Sequence, residues 1–230
     1  MTSIKYKLSY CFRMFSAFAK TAGRERLYKS SHDRINRWRG VPLEERIKED
    51  MEASIALKQR AMRDLKPVAE AARLLIGVFS SGKRAFFCGN GGSAADAQHL
   101  AAELLGKFRK VRPSLPALAL HTNTSAVTAI ANDFSYDEVF VRQLEGLAGP
   151  GDALIGISTS GCSANVVNAV RWGAEHDMIT IGLTGEGGGD MKPYCKVLLE
   201  APSRDTPRIQ ELHITWGHII CALVEERLFP

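Results

Sequence analysis

The feature that most constrains this chain is an alternation. Five short apolar runs, "RAFFC" (84–88), "PALAL" (116–120), "DALIGIS" (152–158), "MITIGLT" (178–184) and "CKVLLEA" (195–201), are separated by segments with helical periodicity. Runs this short and this apolar, joined by helices, predict a parallel sheet covered on both faces. Ligands of such sheets bind beyond the carboxyl ends of the strands, so the loops after the first, third and fourth runs are where chemistry is expected. Ahead of the first run, Ile47, Met51, Ile55, Leu57, Leu65, Val68, Ala72, Leu75 and Val78 recur at helical spacing. They predict one long helix or two consecutive ones broken near Pro67. A helix is expected from about Ser93 to Phe108, another opening near Ser163, and a last one from about Pro207 to Leu228.

At 230 residues and 45% hydrophobic, the chain can bury one α/β core. No stretch approaches the ~20 apolar residues of a membrane span. Cys11, Cys88, Cys162, Cys195 and Cys221 form no CxxC pair, and three lie in or beside apolar runs. They read as buried free thiols in a reducing, cytoplasmic compartment. The net charge of +5 comes from the first 40 residues, where ten Lys/Arg face only Glu25 and Asp33, leaving 20 basic and 23 acidic residues beyond. Residues 41–230 therefore lack the charge of a nucleic-acid binder. Residues 1–40 form a basic extension, expected to be poorly ordered, with a transit peptide or a basic arm as alternatives.

Two loops carry the ligand signal. After the first run, "GNGGSAADAQHLAAEL" (89–104) matches G-x-G-x-x-A through Gly89, Gly91 and Ala94. A dinucleotide site also needs an acidic residue closing the second strand, where this chain has Leu120, His121, Thr122 and Asn123. No Gly-Lys-Ser/Thr follows either, which removes a Walker A loop. After the third run, Ser158, Thr159, Ser160 and Ser163 place four hydroxyls within six residues. Capping a helix accounts for one of them. Hydroxyls together with helix N-terminal N–H groups suit the three oxygens of a phosphate monoester. With no Lys or Arg in either loop, a small sugar phosphate fits better than a metal-bound triphosphate. "LTGEGGGDM" (183–191) reads as a flap near the ligand or as a flexible turn.

His99 and Glu103 stand four residues apart on the helix behind the first loop, so they share a face. The last helix supplies Gln210, Glu211, His213 and His218. Two imidazoles, a carboxylate and an amide can bind Zn²⁺, or they can run proton transfer. On one continuous helix Gln210 and His218 stand ~12 Å apart along the axis, too far to share an ion. Either Gln210 precedes the helix or the site is assembled across a subunit boundary.

The motifs "CGNGGSAADAQHLAAEL", "TAIANDFSYDEVF", "GDALIGISTSGCSANV", "LTGEGGGDM" and "RIQELHITWGH" make residues from about 43 to 229 resemble the SIS (sugar isomerase) family, and within it the phosphoheptose isomerases. The resemblance implies a five-stranded, flavodoxin-like parallel sheet flanked by helices, with a helical N-terminal segment. It implies a homotetramer and one Zn²⁺ per subunit; shared active sites are expected from the helix geometry, and the short apolar runs and the charge argue against a membrane or nucleic-acid partner. The implied reaction isomerises sedoheptulose 7-phosphate to D-glycero-D-manno-heptose 7-phosphate through an enediol, in ADP- or GDP-heptose biosynthesis. Carried over to this sequence, Asn90, Gly91 and Gly92 would line the sugar site, and Asn132 and Asp133 would contact it. Ser158, Thr159, Ser160 and Ser163 would hold the phosphate. His99, Glu103, Gln210 and His218 match the family's metal positions, Glu103 and Gln210 also touching substrate, with Glu103 and His218 the acid/base pair. Bacterial proteins that bind the replication initiator also resemble this chain, through "TAIAND" and "RIQE". They carry Asn at the place of His218 and Arg at the place of Ser160. The chain departs from the isomerase pattern at Cys162, where Asn is usual, and in its basic first 40 residues.

Overall fold

The helical run ahead of the sheet divides next to Pro67, into α1 (Leu43–Ala61) and α2 (Lys66–Ser80). Proline at the start of α2 loses no hydrogen bond, since the first-turn N–H groups of a helix have no intrahelical partner. The computed structural model describes residues 40–230, so the basic extension lies, apart from Gly40, outside the described residues. The chain divides into two units, Met1–Glu52 and Ala53–Pro230; of the first, only Gly40 onward, with the opening of α1, is described. Along α1 the apolar side chains Leu43, Ile47, Met51 and Ile55 are all exposed.

Five strands follow: β1 (Ala85–Gly89), β2 (Ala117–Ala119), β3 (Ala153–Ile157), β4 (Ile179–Thr184) and β5 (Val197–Glu200). Each falls inside or within a residue of its apolar run. All pairs are parallel, in the order β2-β1-β3-β4-β5. That is the doubly wound, flavodoxin-like order, which brings the loops after β1 and β3 side by side at the switch point. Between the strands run α3 (Gly92–Leu105), α4 (Thr124–Asp133), α5 (Val141–Leu147) and α6 (Ala164–Glu175), and α7 (Thr206–Leu228) closes the chain. Short 3-10 turns occupy Tyr136–Glu138 and Gly189–Tyr194.

The strand period of two divides the core. Ala85 and Phe87 of β1 pack with α2, α3 and α7 on one face, while Phe86 and Cys88 pack with α5 and α6 on the other. Helix α3 ends at Leu105, three residues before the expected Phe108. Arg112 ends it there by donating to the carbonyls of Glu103 and Leu104, two of the C-terminal acceptors a helix leaves open. The Arg112 side chain is 1% exposed and pairs at 3.0 Å with Glu225 of α7, itself 2% exposed. Glu225 also accepts the backbone N–H of Phe108, Arg109 and Lys110. Burial alone would raise its carboxyl, but these donors and Arg112 outweigh it and hold the pKa below the usual value. Among the described residues, no helix is long and apolar enough to cross a membrane.

Candidate active site

The loop after β1 turns at Asn90 and Gly91 into α3, with Gly91 at the helix N-cap. The Asn90 side chain is fixed by a reciprocal amide pair with buried Asn165 of α6, at 2.8 and 2.9 Å, and accepts the Tyr136 hydroxyl at 3.1 Å. The loops after β1 and β3 are therefore tied together, as the strand order requires. Asn165 and Tyr136 lie in the quoted motifs, but nothing in their spacing announces this contact.

In the loop after β3, Ser158 is buried and its hydroxyl lies 3.4 Å from that of Ser160 and 3.1 Å from that of Ser163. Ser163 is the N-cap of α6, yet its side chain bonds no helix N–H. Its hydroxyl faces the loop instead. Ser160 accepts from the Cys162 N–H at 3.1 Å, and the exposed Cys162 thiol lies 3.4 Å from the Ser160 carbonyl. Gly161 adopts φ +67°, a left-handed conformation, and a Cβ there would sit 2.1 Å from the Gly188 carbonyl oxygen. The glycine-rich flap thus lies against this loop: Gly185 N–H donates to Thr159 and Met191 N–H to Gly161. Thr159 and Ser160 line a pocket of about 200 Å³ with Glu186, Ser203, Arg204 and Thr206.

Helices α3 and α7 pack closely, and on their shared flank three donors converge. His99 Nε2, Glu103 Oε1 and His218 Nε2 lie within 4.8 Å of one another. His99 Nε2 is 3.0 Å from both the Glu103 carboxylate and His218 Nε2. Two nitrogens and a carboxylate oxygen directed at one point are the ligand types zinc takes, so the residues present fit such an ion. Phe108 stacks on the His218 ring at 5.6 Å between centroids. Asp96, one turn before His99 on the same stripe of α3, has no partner for Oδ2; burial lifts its carboxyl to about 6 against the opposing pull of His99. Sequence reasoning missed Asp96, although its spacing of three from His99 was there to read.

Gln210 lies within α7, which runs unbroken from Thr206 to Leu228, and packs against the start of α3: a Cβ at Gly92 would sit 2.3 Å from Gln210 Nε2. The possibility that Gln210 precedes the helix is thereby removed, and the two-turn separation from His218 stands. Asn132 and Asp133, at the end of α4, are exposed and bonded to each other at 2.8 Å. His213, also on α7, is fully buried, with Nε2 3.0 Å from the Thr184 carbonyl. Burial lowers its pKa to about 4 against that hydrogen bond, so it is a neutral tie between α7 and β4.

The SIS domain family matches residues 51–185. The phosphoheptose isomerase of Roseiflexus sp. is 46% identical over 201 residues, covering 87% of this chain and 98% of that protein. The solved phosphoheptose isomerase of Neisseria gonorrhoeae is 45% identical with a TM-score of 0.76, covering 80% of this chain and all (100%) of that one. That of Francisella tularensis is 32% identical with a TM-score of 0.78, covering 81% of this chain and 100% of the other.

Proposed function

The chain belongs to the phosphoheptose isomerases of the SIS-domain family and is an isomerase, and from that premise we propose that it converts sedoheptulose 7-phosphate to D-glycero-D-manno-heptose 7-phosphate. The supporting observation is the convergence of His99, Glu103 and His218 on one point, in a fold whose neighbouring loop presents Ser158, Thr159, Ser160 and Ser163. A hydroxyl loop at a helix N-terminus suits the phosphate, and Asn90, Gly91 and Gly92 form the wall for the sugar. Asn132 and Asp133 reach the sugar hydroxyls from α4.

Moving the carbonyl from C2 to C1 requires a proton to leave C1 and return at C2, with an enediol between. Glu103 and His218 carry that proton traffic as the acid/base pair. Phe108 covers one face of His218 and limits its ring motion. His99, Glu103 and His218 would hold a zinc ion, with Gln210 as a further ligand; the chemistry such an ion supplies is Lewis-acid polarisation of the sugar's carbonyl oxygen. The product feeds ADP- or GDP-heptose biosynthesis in this reading.

We propose further that the active protein is a homotetramer with sites completed between subunits. On an unbroken helix Gln210 and His218 of one chain stand ~12 Å apart, so Gln210 joins the cluster of a neighbouring chain. Exposed Ile219 and Leu223 on α7, and Leu105 at the end of α3, supply apolar surface for such contacts. The decisive test is turnover of sedoheptulose 7-phosphate with and without chelator. Activity lost on chelation and restored by Zn²⁺ is expected; no turnover under either condition overturns the assignment. Glu103→Gln is expected to abolish turnover while binding remains measurable. A monomer in sedimentation that keeps full activity would refute the shared site.

A further inference from the structure

The hydroxyl loop contains no cation, yet a phosphate monoester brings a charge between about −1.5 and −2. The pocket of about 200 Å³ beside that loop has two charged residues in its lining, and neither comes from the loop. Glu186 is on the flap after β4, and Arg204 is in the turn that leads into α7. Arg204 Nε donates to Glu186 Oε2 at 2.8 Å. The Glu186 backbone N–H donates to the Ser203 carbonyl at 2.9 Å, so the two segments are joined at backbone and side chain alike.

This pair does little as a structural brace, because the Arg204 and Glu186 side chains are 83% and 52% exposed, and open ion pairs contribute little to stability. Its placement beside Thr159 and Ser160 has a clearer consequence. A guanidinium has five N–H groups, and the bond to Glu186 uses Nε alone among the described residues. The Nη groups form a fork of the kind that matches two phosphate oxygens. Conversely, a carboxylate at Glu186 with no cation beside it would repel a dianion entering the same pocket.

We propose that Arg204 is a specificity-determining residue that supplies the cation for the substrate's phosphate, held toward the hydroxyl loop by Glu186. The proposal rests on the sugar-phosphate reading above. In the ligand-free protein the two charges neutralise each other. When a phosphate ester enters, Arg204 gives its Nη donors to the phosphate while Nε stays on Glu186. The hydroxyls of the loop then fix orientation, and Arg204 makes the site select a doubly charged ester over an uncharged sugar. Because the phosphate is remote from the reacting carbons, the contribution belongs to binding and not to the proton transfer.

The test uses the full-length protein with two readouts. In turnover of sedoheptulose 7-phosphate, Arg204→Ala is expected to raise KM roughly tenfold, which corresponds to about 1.4 kcal/mol, with kcat within twofold of the parent. Arg204→Lys keeps the charge without the fork and should recover part of that loss. Glu186→Gln removes the repelling carboxylate while its amide oxygen still accepts Arg204 Nε, so KM should fall. In the double variant Arg204→Ala/Glu186→Gln, KM should fall between those of the parent and Arg204→Ala. The second readout is calorimetric titration with inorganic phosphate alone, where Arg204→Ala should weaken binding by a similar factor. An unchanged KM and phosphate affinity in Arg204→Ala overturns the proposal. So do equal losses in Arg204→Ala and Glu186→Gln, which would mark the pair as a brace for the flap. If the parent turns over no sugar phosphate, the isomerase reading fails and the phosphate titration still decides the role of Arg204.

Discussion

Gly217 precedes His218 on α7 and faces Leu100, which follows His99 on α3, so its substitution tests the proposed catalytic cluster from behind. A Cβ at Gly217 would lie 2.5 Å and 2.6 Å from the Leu100 methyl carbons and 3.1 Å from its Cγ. Carbon atoms in contact need about 3.5–4.0 Å, so Gly217→Ala forces a separation of about 1 Å. Leu100 is 3% exposed and packed in the core, which leaves it little room to give way. Overpacking of this kind costs roughly 1–3 kcal/mol. Replacing a mid-helix glycine by alanine returns roughly 0.5–1 kcal/mol. The net loss of stability is therefore about 0–2.5 kcal/mol, a fall in Tm of at most roughly 10 °C for a domain of this size. Activity should suffer more. The His99–His218 separation is 3.0 Å, and a displacement near 1 Å at a reacting site costs on the order of 100-fold. The assay is kcat/KM beside thermal denaturation by circular dichroism. Leu100→Ala in the same chain removes the obstruction and should restore part of the activity while lowering stability further, which separates misplacement from unfolding. Gly146→Ala is the control, because a Cβ there meets nothing within 4 Å. If Gly217→Ala retains activity within twofold of the parent, the close approach of α3 and α7 does not set the cluster's geometry.

Other substitutions probe the supports of the site. Arg112→Met leaves the Glu225 carboxylate buried without its guanidinium and should cost about 3–5 kcal/mol in urea unfolding; a loss under 1 kcal/mol would mean solvent reaches the carboxylate. His213, neutral in the folded protein with its pKa lowered to about 4, makes stability fall as pH drops from 6.5 toward 4, since only the unfolded chain takes up the proton there. Unfolding midpoints across that range should flatten in His213→Gln, and an unchanged slope would acquit His213. Gly161→Ala meets both the left-handed φ of +67° and the Gly188 carbonyl, so it should separate flap from loop and raise KM for the sugar phosphate well above tenfold; a normal KM would show that the loop does not need the flap.

The strands were legible because apolar runs of five to seven residues leave few alternatives, and their alternation with helices left only a parallel sheet. The break between α1 and α2 was legible from Pro67, whose ring forbids the helix interior. The end of α3 was not, because the periodicity through Phe108 persists while the terminator, Arg112, acts from beyond the helix. The same limit applies to the site. His99 and Glu103 were visible as a local pair, and His218 could be grouped with them only by residue type and by the resemblance, since the contact spans two helices far apart in sequence. The separation of Gln210 and His218 by about two turns was legible, because rise per residue is a local property and α7 is continuous between them. Asn165 on Asn90, Phe108 on His218 and Arg204 on Glu186 are tertiary contacts between loops and helices, and no period or spacing encodes them.

Cys162 lends itself to use at the bench. It is the exposed thiol among the described cysteines, at the crest of the hydroxyl loop, whereas burial pushes Cys88, Cys195 and Cys221 up to about 12 and leaves them slow to react. In a Cys11→Ser background, a maleimide dye should therefore attach at Cys162 in the folded protein. Occupancy of the loop could then be followed optically, from a position a few atoms away from Ser160.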